Sequence, residues 1–174
     1  MAVTLNQVVP WGRTLDEYRH LFDLTDADLQ KRIVGVADGP ASFNAEMHAL
    51  GRRVISVDPL YAFAAEDIAE RVHETWRNMV DQLWRDLDDY VWMRFATPAE
   101  LGQHRLHAMQ TFCADLPLGL QQGRYVVGEL PQLNPLPTAR LTSHFACTFL
   151  FSIFRTAQPR IFTWPRCGNG PHCR

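Results

Sequence analysis

Of the 17 basic residues in this chain only Lys31 is a lysine, and no carboxylate follows Glu129. No apolar run approaches the ~20 residues that a membrane-spanning helix needs, and the N-terminus lacks a charged-then-apolar leader. Net charge is only −2, so neither nucleic acid nor an anionic membrane is an evident partner. A cytoplasmic location follows by default. The Gly-x-Gly-x-x-Gly fingerprint of dinucleotide-binding proteins is also missing. Cysteines number four, three of them beyond Glu129, and disulfides are not expected in a cytosolic chain. The rest is ordinary globular composition, 47% hydrophobic over 174 residues, enough for one domain with a real core.

The chain is organised around residues 32–61. Ile33, Val34 and Val36 form a short apolar run of the kind a strand buried on both faces shows. Asp38-Gly39-Pro40 stops it with a turn signal. Ala41 to Leu50 reads as a helix closed by Gly51, and Val54 to Val57 as a second buried strand ending at Asp58-Pro59. The unit is βαβ, with parallel strands whose C-terminal ends share one edge. Open α/β sheets bind ligands at that edge, and an acid about 20 residues beyond a Gly turn can hold a ribose hydroxyl pair. Asp58 stands at that spacing from Gly39. Either the two form a nucleoside-type cofactor site, or Gly39 merely closes a turn and Asp58 merely caps a loop.

The run Ile33-Val34-Gly35-Val36-Ala37-Asp38-Gly39-Pro40-Ala41-Ser42-Phe43-Asn44 resembles the first motif of the class I S-adenosylmethionine (SAM) dependent methyltransferases. More narrowly, it is similar to a little-characterised bacterial group of SAM-methyltransferase-like proteins. Pro10-Trp11-Gly12-Arg13 and Gly128-Glu129-Leu130-Pro131 match two further segments of that group, and the resemblance covers about residues 8–133. It implies an α/β fold with a Rossmann-like parallel sheet of the class I methyltransferase type, incomplete at the C-terminus. The implied cofactor is SAM, and the methyl acceptor is an unspecified small molecule or macromolecule. Gly35, Ala37, Asp38 and Gly39 would lie against the methionine part, and Asp58 would accept from the ribose hydroxyls. Glu129 would stand by the adenine ring with Leu130 packing on it, and Arg13 would reach the SAM carboxylate. Bland alternatives are a surface arginine for Arg13 and a loop acid for Glu129. The chain departs from the methyltransferase pattern at Ile33, where an acid is usual, and at Ala37, where glycine is usual. No catalytic nucleophile or base and no metal site can be named.

Outside the motif the expectations are helical. Residues 1–9 read as a loose arm. Thr14-Leu15-Asp16-Glu17 is a capping box opening a short helix, and Thr25 with Asp28 repeats the pattern before the first strand. Residues 62–96 carry one amphipathic stripe: Ile68, Val72, Trp76, Met79, Leu83, Leu87 and Tyr90. Thr97-Pro98-Ala99-Glu100 opens another helix with the stripe Leu101, Met109, Phe112 and Leu116, expected to loosen at Pro117 and Gly119. The two make a long helical crossover over 60–123. Trp76, Trp84, Trp92 and Tyr90 fit a core better than a substrate contact, and His104 and His107 read as a solvated face. A third strand follows over Arg124–Gly128.

The last 45 residues differ in kind. They hold five arginines and no acid, so the first 129 residues carry 12 − 19 = −7 and the tail +5. The group's pattern vanishes from Asn134. A reading-frame shift between about residues 131 and 140 accounts for this, since alternative codon phasing of Cys147 to Ile153 permits the group's His-Phe-Leu-Phe-Leu-Tyr run. Residues 1–133 are thus read as the N-terminal part of a methyltransferase-like domain and 134–174 as an atypical tail, non-native or disordered. The alternatives are a genuine strand within Leu141–Phe154 and a metal clip of Cys167, His172 and Cys173. At the level of function, a non-catalytic remnant or helical interaction module and an NAD-type oxidoreductase stand beside the methyltransferase.

Overall fold

A computed structural model describes residues 4–90, 92–129 and 145–147. Helix α1 (Leu15–Phe22) opens on the expected capping box, with the Thr14 side chain accepting from the Glu17 amide and Glu17 reaching back to the Thr14 amide. Strand β1 (Arg32–Val36), helix α2 (Phe43–Ala49) and strand β2 (Arg53–Val57) form the βαβ unit, paired in parallel from Arg32↔Arg53 to Val36↔Val57. Gly51 closes α2 at φ +71°, a conformation that costs a residue without a side chain little. Helices α3 (Ala65–Arg85) and α4 (Pro98–Gln121) fill the crossover to β3 (Tyr125–Val126), and β4 is Phe145–Cys147. The sheet is parallel, in the order β3-β2-β1-β4.

Alternation along the strands sorts the core. Ile33 and Val54 point to one face, where they meet Tyr18, Phe43 and Met47 of α1 and α2. Tyr125, paired with Ser56 on the same face, joins Ile68 and Val72 of α3 and Met109, Phe112 and Leu116 of α4. Val34, Val36 and Val57 gather on the opposite face with Ile55 and Val126. A buried polar tie fixes β3 against its neighbours. The Asn44 amide donates to the carbonyls of Val54 and Arg124 and to the Ser56 hydroxyl, while its oxygen accepts from Arg124. Arg124 in turn forms a two-pronged pair with Asp115 at 2.7 and 2.8 Å. Such forked pairing is directional, so it fixes orientation as well as adding energy.

Several local expectations need correction. The arm is not loose over residues 4–9. Leu5–Gln7 forms a 3-10 turn, Leu5 and Val8 pack on the cluster of α3 and α4, and Arg71 donates to the carbonyls of Asn6 and Val8. The stripe over 62–96 is not one helix. Helix α3 stops at Arg85, and Leu87–Asp89 make a 3-10 turn. Asp86, Asp88 and Asp89 would crowd negative charge at a helix C-terminus, where the macrodipole disfavours it. Tyr90 and Trp92 still reach the core beside Leu83 and Trp11, now from the loop, with the Trp92 indole donating to the Leu87 carbonyl. Trp84 by contrast is 48% exposed. Helix α4 runs through Pro117 rather than ending there. Proline inside a helix costs about 3 kcal/mol, and burial of Phe112, Leu116 and Gly119 along the same segment outweighs it. Gly119 is there for contact, since a side chain would stand 2.3 Å from the Tyr125 ring.

Candidate functional site

The carboxyl ends of β1 and β2 open into a cavity of about 230 Å³. Its floor is Ala37 to Pro40 after β1 and Asp58 to Leu60 after β2, and its wall is Val8 to Trp11 with Arg13 and Tyr18. Five of the residues singled out in the sequence thus meet in one place: Arg13, Ala37, Asp38, Gly39 and Asp58.

Asp58 ties the two strand ends together. One carboxylate oxygen accepts from the Gly39 amide at 2.8 Å, and the other accepts from the Leu60 amide at 2.8 Å. Its own amide donates to the Val126 carbonyl, so the backbone is held in line with β3. Burial pushes this carboxyl up to about 6; the two amides oppose the rise, and the charge of Asp38 adds to it. A carboxylate has about four acceptor sites, of which these amides take two. The carboxyl therefore keeps acceptor capacity in the cavity that it lines.

The turn after β1 is the strained part. Ala37 sits at φ +58° and donates its amide to the Val57 carbonyl at 2.8 Å. A left-handed conformation costs a residue with a Cβ about 1–2 kcal/mol. Gly39 is also left-handed at φ +57°, and a side chain on it would meet nothing within 4 Å. Its conformation, not crowding, calls for glycine, and its face is open. The Gly39 carbonyl accepts from the Tyr61 hydroxyl at 3.0 Å.

Gly35 plays a different part from its neighbours. It is buried inside β1, and a Cβ there would lie 1.9 Å from the Asp38 carboxylate. The space left by the absent side chain is thus filled by Asp38, which folds back over the strand. The Tyr18 hydroxyl donates to that carboxylate at 2.8 Å, and the Tyr18 ring stacks on Phe43 with centroids 4.2 Å apart. Glu129 is exposed and does not line the cavity, while Leu130 lies outside the described residues, as do Cys167, His172 and Cys173.

The residues that sequence reasoning missed sit behind the wall. Arg105 of α4 is fully buried, donates to the Gly12 carbonyl at 3.1 Å and to Glu17 at 2.5 Å, and lies over the Trp11 ring. Burial lowers this guanidinium to about 10 against the opposing pull of Glu17, so it stays charged at neutral pH. His104 is drawn into the same cluster, 3.2 Å from the Thr14 hydroxyl and 3.3 Å from Glu17. It is therefore not part of a solvated face; His107 is exposed. The capping box marked Glu17 only as a helix end; that it is buried and shared with Arg105 and His104 shows in the fold alone.

No protein-family model matches the chain. It is similar to an uncharacterised protein of Methanocaldococcus jannaschii, 29% identical over 133 residues, which is 76% of this chain and 59% of that protein. The chain thus spans about three fifths of the length of that relative. No solved structure matches. Among the described residues no helix is long and apolar enough to cross a membrane.

Proposed function

We propose that this chain is the cofactor-binding part of a SAM-dependent methyltransferase-like protein, with a sheet of the class I methyltransferase type. The observation that carries the reading is the meeting, in one cavity, of an open glycine turn after β1 and a buried acid after β2. The parallel order β3-β2-β1-β4 supports it, because it sets both strand ends on the edge where such sheets take ligands.

The residues present fit the cofactor in kind. Asp58 retains acceptor sites for a ribose hydroxyl pair, the open face of Gly39 allows close backbone approach, and Arg13 offers a cation for a carboxylate. SAM supplies an electrophilic methyl carbon, so the chemistry of such a site is in-line displacement, where positioning provides much of the rate. The work of this chain is binding and orientation: Tyr18 holds Asp38, and Asp58 locks the glycine turn to β2.

Calorimetric titration of the purified chain with SAM tests the reading, with Asp58→Ala as the control and NAD as competitor. Affinity that falls about tenfold or more in the variant supports the site. An absence of heat from a folded chain refutes it, and binding of NAD where SAM gives no heat transfers the cavity to the oxidoreductase reading.

A further inference from the structure

One wall of the cavity belongs to no helix or strand. Val8, Val9, Pro10 and Trp11 run across it ahead of α1. The downstream end of this segment is pinned: Arg105 holds the Gly12 carbonyl, and Gly12 lies so close to the glycine turn that a Cβ would stand 2.0 Å from the Pro40 carbonyl oxygen. The upstream end rests partly buried Leu5 and Val8 on the cluster of α3 and α4 and is otherwise held by one cation. Arg71, on the partly exposed flank of α3, donates to the Val8 carbonyl at 2.9 Å and to the Asn6 carbonyl at 2.8 Å.

Two observations bear on whether this wall moves. The cavity of about 230 Å³ is smaller than the ~300–1,000 Å³ usual for small-molecule and cofactor sites. The opposite walls are tied into the sheet, through Ala37 to Val57 and Asp58 to Val126, so they cannot yield without breaking strand pairing. Arg71 also has a second partner, since Glu74 holds the same guanidinium at 3.1 Å. Releasing the carbonyls therefore does not strand its charge.

We propose that residues 4–9 form a strap that lifts to admit the cofactor and closes over it, with Arg71 as its latch. The gating role rests on the SAM reading above. Trp11, buried against Leu83 and Leu101 and under Arg105, marks the fixed end, and the segment swings about Pro10 while the turn beneath stays in place.

Amide hydrogen exchange and stopped-flow SAM binding on the full chain test this, comparing wild type with Arg71→Ala and with Glu74→Ala. Loss of the two latch hydrogen bonds is expected to raise exchange of residues 4–9 about tenfold, with α2 unchanged and no such rise in Glu74→Ala. Saturating SAM should slow that exchange in wild type, and the association rate constant should rise about tenfold in Arg71→Ala. Unchanged exchange in Arg71→Ala overturns the latch. Faster exchange with an unchanged association rate overturns the gate alone. If neither protein binds SAM, the cofactor reading falls and the gate with it, while the exchange data still report separately on Arg71.

Discussion

Asp58→Asn should remove a specific pH dependence from the stability of this protein. The carboxyl moves from an unfolded value of 3.8 to about 6 in the fold, chiefly because it is buried. A raised folded pKa means that the native state holds the proton more tightly than the unfolded chain between these two values. The contribution of Asp58 is thus fully present below about pH 3.8 and is lost as pH rises through about 6. Linkage over a shift of this size gives wild type a loss of about 2 kcal/mol between pH 4.5 and 7.5 that the variant does not share. Asparagine itself can accept from only one of the two amides at Gly39 and Leu60, and the unsatisfied donor costs about 1–3 kcal/mol. The diagnostic is therefore the difference in slope between the two proteins, not the offset. Asp28 and Asp115 shift the other way, so their contributions change mainly below the ordinary carboxylate range and outside this window. Urea unfolding followed by tryptophan fluorescence at five pH values would read the effect as a midpoint shift on the order of 1 M. A wild-type-minus-variant difference that is flat, or that grows with pH, would refute the argument that burial dominates at this carboxyl.

Two further substitutions probe the same corner. Gly35→Ala drives a methyl group into the Asp38 carboxylate and should destabilise by about 1–3 kcal/mol; measured by urea melts in an Asp38→Ala background the same substitution should cost clearly less, because the collision is with that side chain. Arg105→Met leaves Glu17 buried without its cation and should cost about 3–5 kcal/mol. The double variant Arg105→Met with Glu17→Gln should be clearly more stable than the single one by thermal unfolding.

The motif region was legible because its signals are local. Two buried-strand runs, a turn at Asp38-Gly39-Pro40 and a stop at Gly51 each act over a few residues, and they set β1, α2 and β2 to within about two residues. The stripes of α3 and α4 were legible for the same reason, down to buried Ile68, Val72, Leu101, Met109, Phe112 and Leu116. The features that escaped depend on residues far apart in sequence. Arg105 reads as a polar residue on a helix until Gly12 and Glu17 are seen beside it, and Arg71 is one more surface cation until it meets the carbonyls of residues 6 and 8. Gly35 was singled out as lying against a cofactor, whereas in the fold the room left by its missing side chain is filled by Asp38, three residues on. Pro117 escaped for an energetic reason: a local penalty was overruled by packing of the residues on either side of it.

Strand β1 lies between β2 and β4, so its two edges acquire partners at very different moments in the life of the chain. The β2 edge is met by Arg53 to Val57, soon after β1 itself is made. The other edge waits for Phe145 to Cys147, which are 145 − 36 = 109 positions beyond the end of β1. At ribosomal rates of about 5–20 residues per second, that interval is roughly 5–20 s. Throughout it the nascent βαβ unit presents Val34 and Val36 on an unpaired strand, the kind of edge that recruits other chains. The vulnerable period for this protein is therefore set by the translation of α3, α4 and the residues between α4 and β4, and slower synthesis through that stretch lengthens its exposure to aggregation.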